Sequence, residues 1–439
     1  MRVFPDKGFT AYAAFLALLS GGLLITGWTW GLLISACLLA VALALFDYRR
    51  LSKMKDAVQV RVDAPPSRQR GEPIQTSLYV SNHGACRVNL TVRLCLPLQG
   101  VPRAWVERLS LGPGTGVALQ CEVQTPVRGA YEFGDIWIRM SGPARFLQLQ
   151  RSWPHSAVCK VYPDVKRVRE YITSRRAHIT SAPHVRRATL RGMGSEFERL
   201  RDYEPGDDIR RIDWRATAKH RKLISRNYEI ESFRDVLVMV DRGRLMASES
   251  RETSKLDHAI DAALMISAVA LDSGDHAGIL VFDKDVSAYL PPRGAISYLP
   301  TLIESVYAVQ PILEESDFLR AFAHLQIRLP KRSLIVVLTD VIDPEVSRSI
   351  LEGVLALNKR HLVVFAALRT RAIYDAIAAP VADPLDPFRK AVAYRLVRER
   401  GEVIRRLRKG GVEVLDVLPG EITIPLVNKY VELREQNRL

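Results

Sequence analysis

The stretch Gly194–Glu229 reads GSEFERLRDYEPGDDIRRIDWRATAKHRKLISRNYE, and the rest of the chain is organised around it. Acidic and basic side chains alternate through the stretch, and aromatic residues such as Tyr203 and Trp214 recur between them. This mixture is too charged for a core element and too rich in aromatic residues for a plain linker. Pro205–Asp208 predicts a turn, because proline presets φ and glycine tolerates positive φ. Asp213 then precedes a segment that could be helical, with its carboxylate near the helix N-terminus.

The same stretch resembles the signature of the bacterial family known as domain of unknown function fifty-eight. The resemblance is long, free of gaps and carried by unusual residues. It implies a membrane hairpin, a β-rich domain and a von Willebrand factor A-like α/β domain, and it implies association with AAA+ ATPases of the MoxR class. We expect the partner-binding surface at Arg201, Asp202, Tyr203, Glu204, Gly206, Asp207, Asp208, Arg210, Arg211, Asp213, Trp214 and Arg215.

Composition places the chain among globular proteins of two or three domains, with 439 residues and 48% hydrophobic content. A net charge of +15 favours an anionic partner, which could be nucleic acid, anionic lipid or an acidic protein surface. Within the basic segment 164–191 the sole aromatic residue is Tyr171, which argues against a base-stacking nucleic-acid platform. A membrane surface or an acidic protein is therefore the favoured partner.

The N-terminal residues 1–55 predict a transmembrane hairpin. Two apolar runs, Phe9–Ile25 and Gly31–Phe46, are each roughly long enough to cross a hydrocarbon core of about 30 Å. Basic residues flank both runs, so the positive-inside rule keeps both ends in the cytoplasm. The sequence thus predicts a multi-pass protein of the bacterial inner membrane, with its soluble domains on the cytoplasmic side.

Two folded domains and a connector are expected after the hairpin. Residues 56–163 alternate apolar and polar positions between frequent turns, which predicts an all-β, sandwich-like domain. Residues 164–232 form a basic connector that includes the signature stretch. Residues 233–439 alternate buried strands with helices, which predicts a doubly wound α/β domain with a parallel sheet. The expected fold class is therefore multi-domain: transmembrane hairpin, β-sandwich-like domain and von Willebrand A-like domain.

In such a sheet functional residues collect beyond the carboxyl ends of the strands, here at Asp241, Asp283 and Asp340. The resemblance to a von Willebrand A-like domain implies that Asp241 and Asp340 stand at its metal-binding aspartates, whose first loop reads Asp-x-Ser-x-Ser. Here both serine positions are replaced, by Gly243 and Leu245, and arginines flank them. Asp241 and Asp340 thus predict a degenerate metal site that weighs against bound Mg²⁺, the one cofactor considered. We expect Asp241 instead to pair with one of the two arginines and to cap a neighbouring helix.

Three functions stay open at this stage. The first is a membrane-anchored interaction scaffold or adaptor, without catalytic activity, that partners a MoxR-type AAA+ ATPase in assembling or activating another complex. The second is a metal-dependent phosphodiesterase or nuclease built on Asp207, Asp208, Asp213 and Lys219, although nearby arginines make a salt-bridge network the simpler interpretation. The third is a purely structural envelope protein. Neither a phosphate-binding P-loop nor a nucleophile elbow occurs in the sequence.

Overall fold

The computed structural model describes residues 2–23, 30–54, 56–95, 104–155, 157–164, 168, 170, 196–203, 212, 214–220, 222–229, 234–250, 253–341, 344–436 and 438. The chain divides into two compact units, Met1–Pro163 and Asp164–Leu439. Much of the connector predicted over residues 164–232 lies outside the described residues.

The N-terminal unit combines two helices with three small β-sheets. Its elements are β1 (Arg2–Pro5), α1 (Lys7–Leu23), α2 (Trp30–Met54), β2 (Val58–Asp63), β3 (Ser67–Gln69), β4 (Ile74–Asn82), β5 (Val88–Cys95), β6 (Ala104–Leu111), β7 (Gly116–Val123), β8 (Gly129–Phe133), β9 (Ile136–Ser141), β10 (Leu147–Trp153) and β11 (Ala157–Tyr162). The sheets have the orders β1-β10-β9-β5-β6, β2-β4-β7 and β3-β11-β8. Alternate residues of β4 and β5 are buried, because one face of each strand packs into a shared apolar core.

Helix α2 ends inside this β-rich unit. Leu51 and Met54 are buried in the same apolar core as the strands. The Asp47 carboxylate is buried and accepts hydrogen bonds from three backbone N–H groups of the β9–β10 turn, at Ala144 (2.9 Å), Phe146 (2.7 Å) and Leu147 (3.2 Å). The last turns of α2 therefore belong to the core of this unit.

The described helices contradict the hairpin prediction over residues 1–55. Helix α2 carries Asp47, Arg49, Arg50 and Lys53 in its second half. No helix within the described residues is both long enough and apolar enough to cross a membrane. The predicted transmembrane hairpin and the predicted multi-pass inner-membrane location are therefore wrong.

Near the start of the C-terminal unit, β12 (Glu196–Asp202) and β13 (Ile224–Glu229) form an antiparallel pair of strands. Helix α3 (Trp214–His220) lies between them in the chain. The elements that follow are β14 (Asp235–Asp241), β15 (Glu249–Ser250), β16 (Thr253–Ser254), α4 (Lys255–Asp272), β17 (His276–Phe282), β18 (Val286–Arg293), α5 (Leu299–Val306), α6 (Phe318–Arg328), β19 (Leu334–Thr339), α7 (Pro344–Asn358), β20 (Leu362–Leu368), α8 (Arg371–Ala378), α9 (Asp386–Lys409), β21 (Glu413–Val417) and α10 (Thr423–Glu435).

A six-stranded sheet of order β18-β17-β14-β19-β20-β21 forms the centre of this unit. All neighbouring strands are parallel except the edge strand β18, which runs antiparallel to β17. Helices α4, α5 and α10 pack together on one side, and α6, α7 and α9 on the other. Strands β14, β17, β19 and β20 are buried almost throughout, as expected for a sheet covered on both faces.

Candidate functional site

Three aspartates meet the carboxyl edge of the parallel sheet. Asp241 ends β14, Asp283 follows β17, and Asp340 follows β19, and these three strands are neighbours. Their side chains are only 3%, 4% and 1% exposed, respectively. A charged group is costly to bury without partners, so the arrangement depends on what surrounds each carboxylate.

The Asp241 carboxylate is satisfied by three hydrogen bonds. Ser316 Oγ donates at 2.5 Å and the Gly243 N–H at 2.8 Å to one oxygen, and Thr339 Oγ1 donates at 2.6 Å to the other. A Cβ at Gly243 would lie 2.2 Å from Ser316 Oγ. Ser316, from a distant loop, therefore supplies a hydroxyl beside the position where the metal-binding pattern has its first serine.

Burial raises the pKa of the Asp241 carboxyl above its usual value, and the hydrogen bonds from Ser316, Thr339 and Gly243 oppose this shift only in part. The negative charge of Asp340 acts in the same direction as burial. The pKa direction and the geometry agree: Asp241 is a structural acceptor in a poorly solvated position.

Asp340 lies between two buried cations. One oxygen accepts from Lys255 Nζ and from Thr370 Oγ1 (3.0 Å). The other accepts from Arg400 (2.5 Å) and from the Val341 N–H (2.7 Å). Lys255 is 2% exposed and Arg400 is 5% exposed, so both positive charges are buried with their counterion. Burial lowers the pKa of Lys255, and the charge of Asp340 partly offsets that shift.

The ion pairs continue along the sheet edge. Arg400 also donates to one oxygen of Asp416, at 2.8 Å and 3.2 Å from two of its nitrogens, and Arg369 donates to the other oxygen at 3.1 Å. Although burial acts to raise the pKa of Asp416, Arg369 and Arg400 together hold it below the usual range. The chain Lys255–Asp340–Arg400–Asp416–Arg369 thus alternates in charge; we call it the charge ladder.

The arginines of the Asp241 loop pair elsewhere than predicted. Arg242 contacts the Asp283 carboxylate through two nitrogens, at 2.5 Å and 2.6 Å. Arg244 pairs with Glu315 at 3.2 Å on the surface. The prediction that Asp241 pairs with one of these arginines is wrong, since hydroxyl and backbone donors reach its buried carboxylate instead.

The residues at this edge do not fit a divalent metal. Asp241 and Asp340 do line one narrow cleft, of about 20 Å³, together with Gly243 and Ser316. However, every oxygen of the two carboxylates already accepts a hydrogen bond or an ion pair, whereas Mg²⁺ requires oxygen ligands in near-octahedral geometry. Within the described residues, no group of three or more His, Cys, Asp or Glu side chains is placed to hold a metal ion. Lys255 and Arg400 supply the positive charge that balances Asp340.

The first prediction concerns the pH dependence of stability. Because folded Asp241 holds its proton more tightly than unfolded Asp241, the folded state binds more protons between the usual aspartate pKa, about 3.9, and the raised value. This carboxyl therefore contributes stability at acidic pH that is lost as the pH rises through that window, with a slope of at most about 1.4 kcal/mol per pH unit. Asp241→Asn should remove that slope in urea unfolding between pH 4 and 8. Glu315→Gln, an exposed carboxylate of the same cleft, should retain it; equal slopes for Asp241→Asn and wild type would refute the assignment.

The predicted partner-binding segment is described in part. Arg201 and Asp202 end β12, Tyr203 follows with its N–H bonded to the Leu223 carbonyl at 3.0 Å, and Trp214 and Arg215 begin α3. Trp214 is 65% exposed, which suits a contact residue. The remaining predicted residues lie outside the described ones: Glu204, Gly206, Asp207, Asp208, Arg210, Arg211 and Asp213.

Helices α8 and α9 pack against each other at the β20–β21 side of the sheet; we call α8 and the first half of α9 the arm. Helix α9 runs against the strands, because the parallel strand β21 follows it, and Arg400 marks the level of the sheet edge. The residues Asp386–Glu399 before Arg400 span about 21 Å at 1.5 Å per residue, and Leu396 and Val397 among them line one small pocket with Val341 and Thr370 of the sheet edge. Helix α8 packs against this segment. Leu385, Phe388 and Val392 are 55%, 71% and 59% exposed, and form one apolar stripe at helical spacing.

The central part of the chain is similar in sequence to known proteins. An uncharacterized protein of Mycobacterium tuberculosis (strain ATCC 25618 / H37Rv), Rv1480, and one of Mycobacterium bovis, Mb1516, are each 26% identical over 159 residues. The matched part covers 35% of this chain and about half (49%) of each relative. Among solved structures, the CARDB domain of a Pyrococcus furiosus protein is 18% identical over 22% of this chain and 85% of its own, with a TM-score of 0.16. Similarity at that level carries no argument about fold or function. Residues 199–373 match the family described as Protein of unknown function DUF58, which confirms the resemblance in the part of Gly194–Glu229 that begins at Arg199.

Proposed function

We propose that this protein is an interaction scaffold that partners a MoxR-type AAA+ ATPase and assists the assembly or activation of another complex. The observation that carries the proposal is the arm of α8 and α9, which presents an exposed apolar stripe beside the carboxyl edge of the sheet. Exposed apolar side chains grouped on one surface commonly mark protein-binding sites.

The charge ladder supports the same proposal. At this edge of the sheet, Asp241 and Asp340 each accept hydrogen bonds from buried donors, which would hold the neighbouring loops in place for a partner. A parallel sheet with one antiparallel edge strand and paired aspartates at its carboxyl edge also suits a von Willebrand A-like domain, which here would bind a protein without a metal bridge.

The interface is expected to combine the arm with the segment around Trp214. In the arm, Phe388 and Val392 supply apolar anchors and Lys390 adds a positive charge, while Arg389 and Arg395 are paired with Asp386 and Glu399 of the same helix. An apolar pocket on the ATPase would complement the two anchors, since apolar anchors supply most of the affinity of such interfaces.

The second prediction tests this interface with the full chain. Phe388→Asp should weaken binding of a MoxR-type ATPase from the same organism at least about tenfold, because a charge would enter a desolvated apolar contact. Ile327→Asp is the matched control: Ile327 is 80% exposed, near the C-terminus of α6, and that helix leads into the start of β19 at the opposite edge of the sheet. Binding is measured by calorimetry with ADP and with a non-hydrolysed ATP analogue.

Two outcomes would count against the proposal. Absence of wild-type binding in both nucleotide states would remove the ATPase as the partner. Equal binding by Phe388→Asp and wild type would remove the arm as the contact surface; Trp214→Ala would then show whether the signature segment alone supplies it.

A further inference from the structure

The outer face of the five-stranded sheet in the N-terminal unit forms a concave groove of about 580 Å³. Strands β5, β6, β9 and β10 contribute its walls, and its lining residues are Thr91, Arg93, Cys95, Val106, Arg108, Trp137, Arg139 and Gln150. A volume of this size lies within the range of small-molecule sites. The groove belongs wholly to the N-terminal unit, so it is separate from the cleft of the α/β sheet.

The register of the strands places Arg93, Arg108 and Arg139 close together on one face of the sheet. Thr91 lies opposite Arg108 on one neighbouring strand and opposite Arg139 on the other, which separates these two arginines by about 10 Å, or two strand spacings. Arg93, two residues along β5, is diagonal to both at about 7–8 Å. Because their inward neighbours Val92, Leu94 and Ile138 are buried in the core, all three guanidinium groups project from the outer face.

The groove has no internal counterion among the described residues. None of its lining residues is acidic, and Arg93 and Arg108 form no ion pair with any residue that the structure describes. The residues 96–103 that connect β5 and β6 also contain no acidic side chain. Arg139 is oriented by Gln150, whose side-chain oxygen accepts from two of its nitrogens at 2.9 Å and 3.3 Å. Three like charges are thus held together, one of them in a fixed plane.

We propose that this groove binds a compact polyanion, a small molecule that carries two or more carboxylate or phosphate groups. Guanidinium groups match the planar geometry of carboxylate and phosphate and can bind them through two parallel hydrogen bonds. A ligand with two anionic groups would bridge the triangle of arginines and relieve their mutual repulsion. Trp137, half-buried beside Arg93, provides an apolar wall for the body of the ligand.

The third prediction is tested by calorimetry on the full chain, with pyrophosphate and citrate as separate probes. We expect saturable binding of one molecule per chain by at least one probe. Arg93→Gln and Arg108→Gln should each weaken it about tenfold or more, the usual effect of losing a charge-assisted hydrogen bond. The two probes distinguish a phosphate site from a carboxylate site.

Arg61→Gln is the matched control, because Arg61 is an exposed arginine on β2, in a different sheet of the same unit. It removes the same charge and should change affinity by less than about twofold, since solvent and salt screen distant surface charges. Far-UV circular dichroism verifies that each variant is folded. The proposal is overturned if neither probe gives saturable binding, or if Arg61→Gln weakens binding as much as the groove variants do.

Discussion

Asp340→Asn is expected to lower the free energy of unfolding of the C-terminal unit by about 3–5 kcal/mol, the usual cost of breaking a buried ion pair by removing one partner. The substitution preserves shape but removes the negative charge between Lys255 and Arg400, which are 2% and 5% exposed. Two cations would then remain buried in contact with a neutral amide. Urea unfolding of the full chain, with hydrogen exchange at the Val341 amide that donates to Asp340, measures the effect.

A double-mutant cycle identifies the cause. Lys255→Met removes one of the two cations while keeping the length of the side chain, so Asp340→Asn should cost less in that background than in the wild type. We expect a coupling free energy of about 0.5–3 kcal/mol between the two positions, as found for residues in direct contact. An additive cycle would mean that Asp340 and Lys255 do not stabilise each other.

Asp285→Asn serves as the control for charge loss at the surface. Asp285 pairs with Arg320 at 2.5 Å, but the two side chains are 53% and 64% exposed. Solvent-exposed pairs contribute about 0.2–1 kcal/mol, so this variant should remain close to wild type. If Asp340→Asn were as mild as Asp285→Asn, the charge ladder would have no structural role.

Asp47→Ala is expected to destabilise the N-terminal unit by about 3 kcal/mol or more. The substitution leaves the backbone N–H groups of Ala144, Phe146 and Leu147 without their acceptor, and each unsatisfied buried donor costs about 1–3 kcal/mol. Space around the carboxylate is tight as well, since a Cβ on Gly142 would lie 2.4–2.6 Å from its atoms. A side chain at position 142 would therefore displace the carboxylate or the turn.

Hydrogen exchange locates this effect. The amides of Ala144, Phe146 and Leu147 should exchange faster in Asp47→Ala, before the rest of the unit does. Asp135→Ala, at an exposed aspartate between β8 and β9, should change stability by less than about 0.5 kcal/mol. Unchanged protection of the three amides in Asp47→Ala would show that α2 is not held to the β9–β10 turn through this carboxylate.

The strands of the α/β sheet could be predicted because their signal is local. The runs around Val236, Ile279, Ile335 and Val363 are apolar at nearly every position, and the structure has strands at each of them. The edge strand β18 is not predicted, because Pro291 and Pro292 interrupt the strand pattern of its sequence. Proline is tolerated in a strand only at a sheet edge or a bulge, and β18 lies at the edge.

Prediction from local hydropathy was wrong at α1 and α2, where it indicated a transmembrane hairpin. Hydropathy averages over neighbours along the chain, so the run up to Phe46 resembled a membrane span. An average over neighbours along the chain contains no information on tertiary contacts. It therefore cannot show that Asp47, Leu51 and Met54, on the following turns, pack into the β-rich core.

The sequence by itself determined where the strands of the sheet lie and which aspartates end them, since side-chain periodicity and chain reversals depend on near neighbours. Tertiary structure alone decided what those aspartates do. Asp340 meets Lys255 from 85 positions earlier and Arg400 from 60 positions later, and Asp241 receives the hydroxyl of Ser316 from 75 positions away. Parallel strands bring such distant positions to one edge, and burial there makes each charge depend on partners that no local pattern can name.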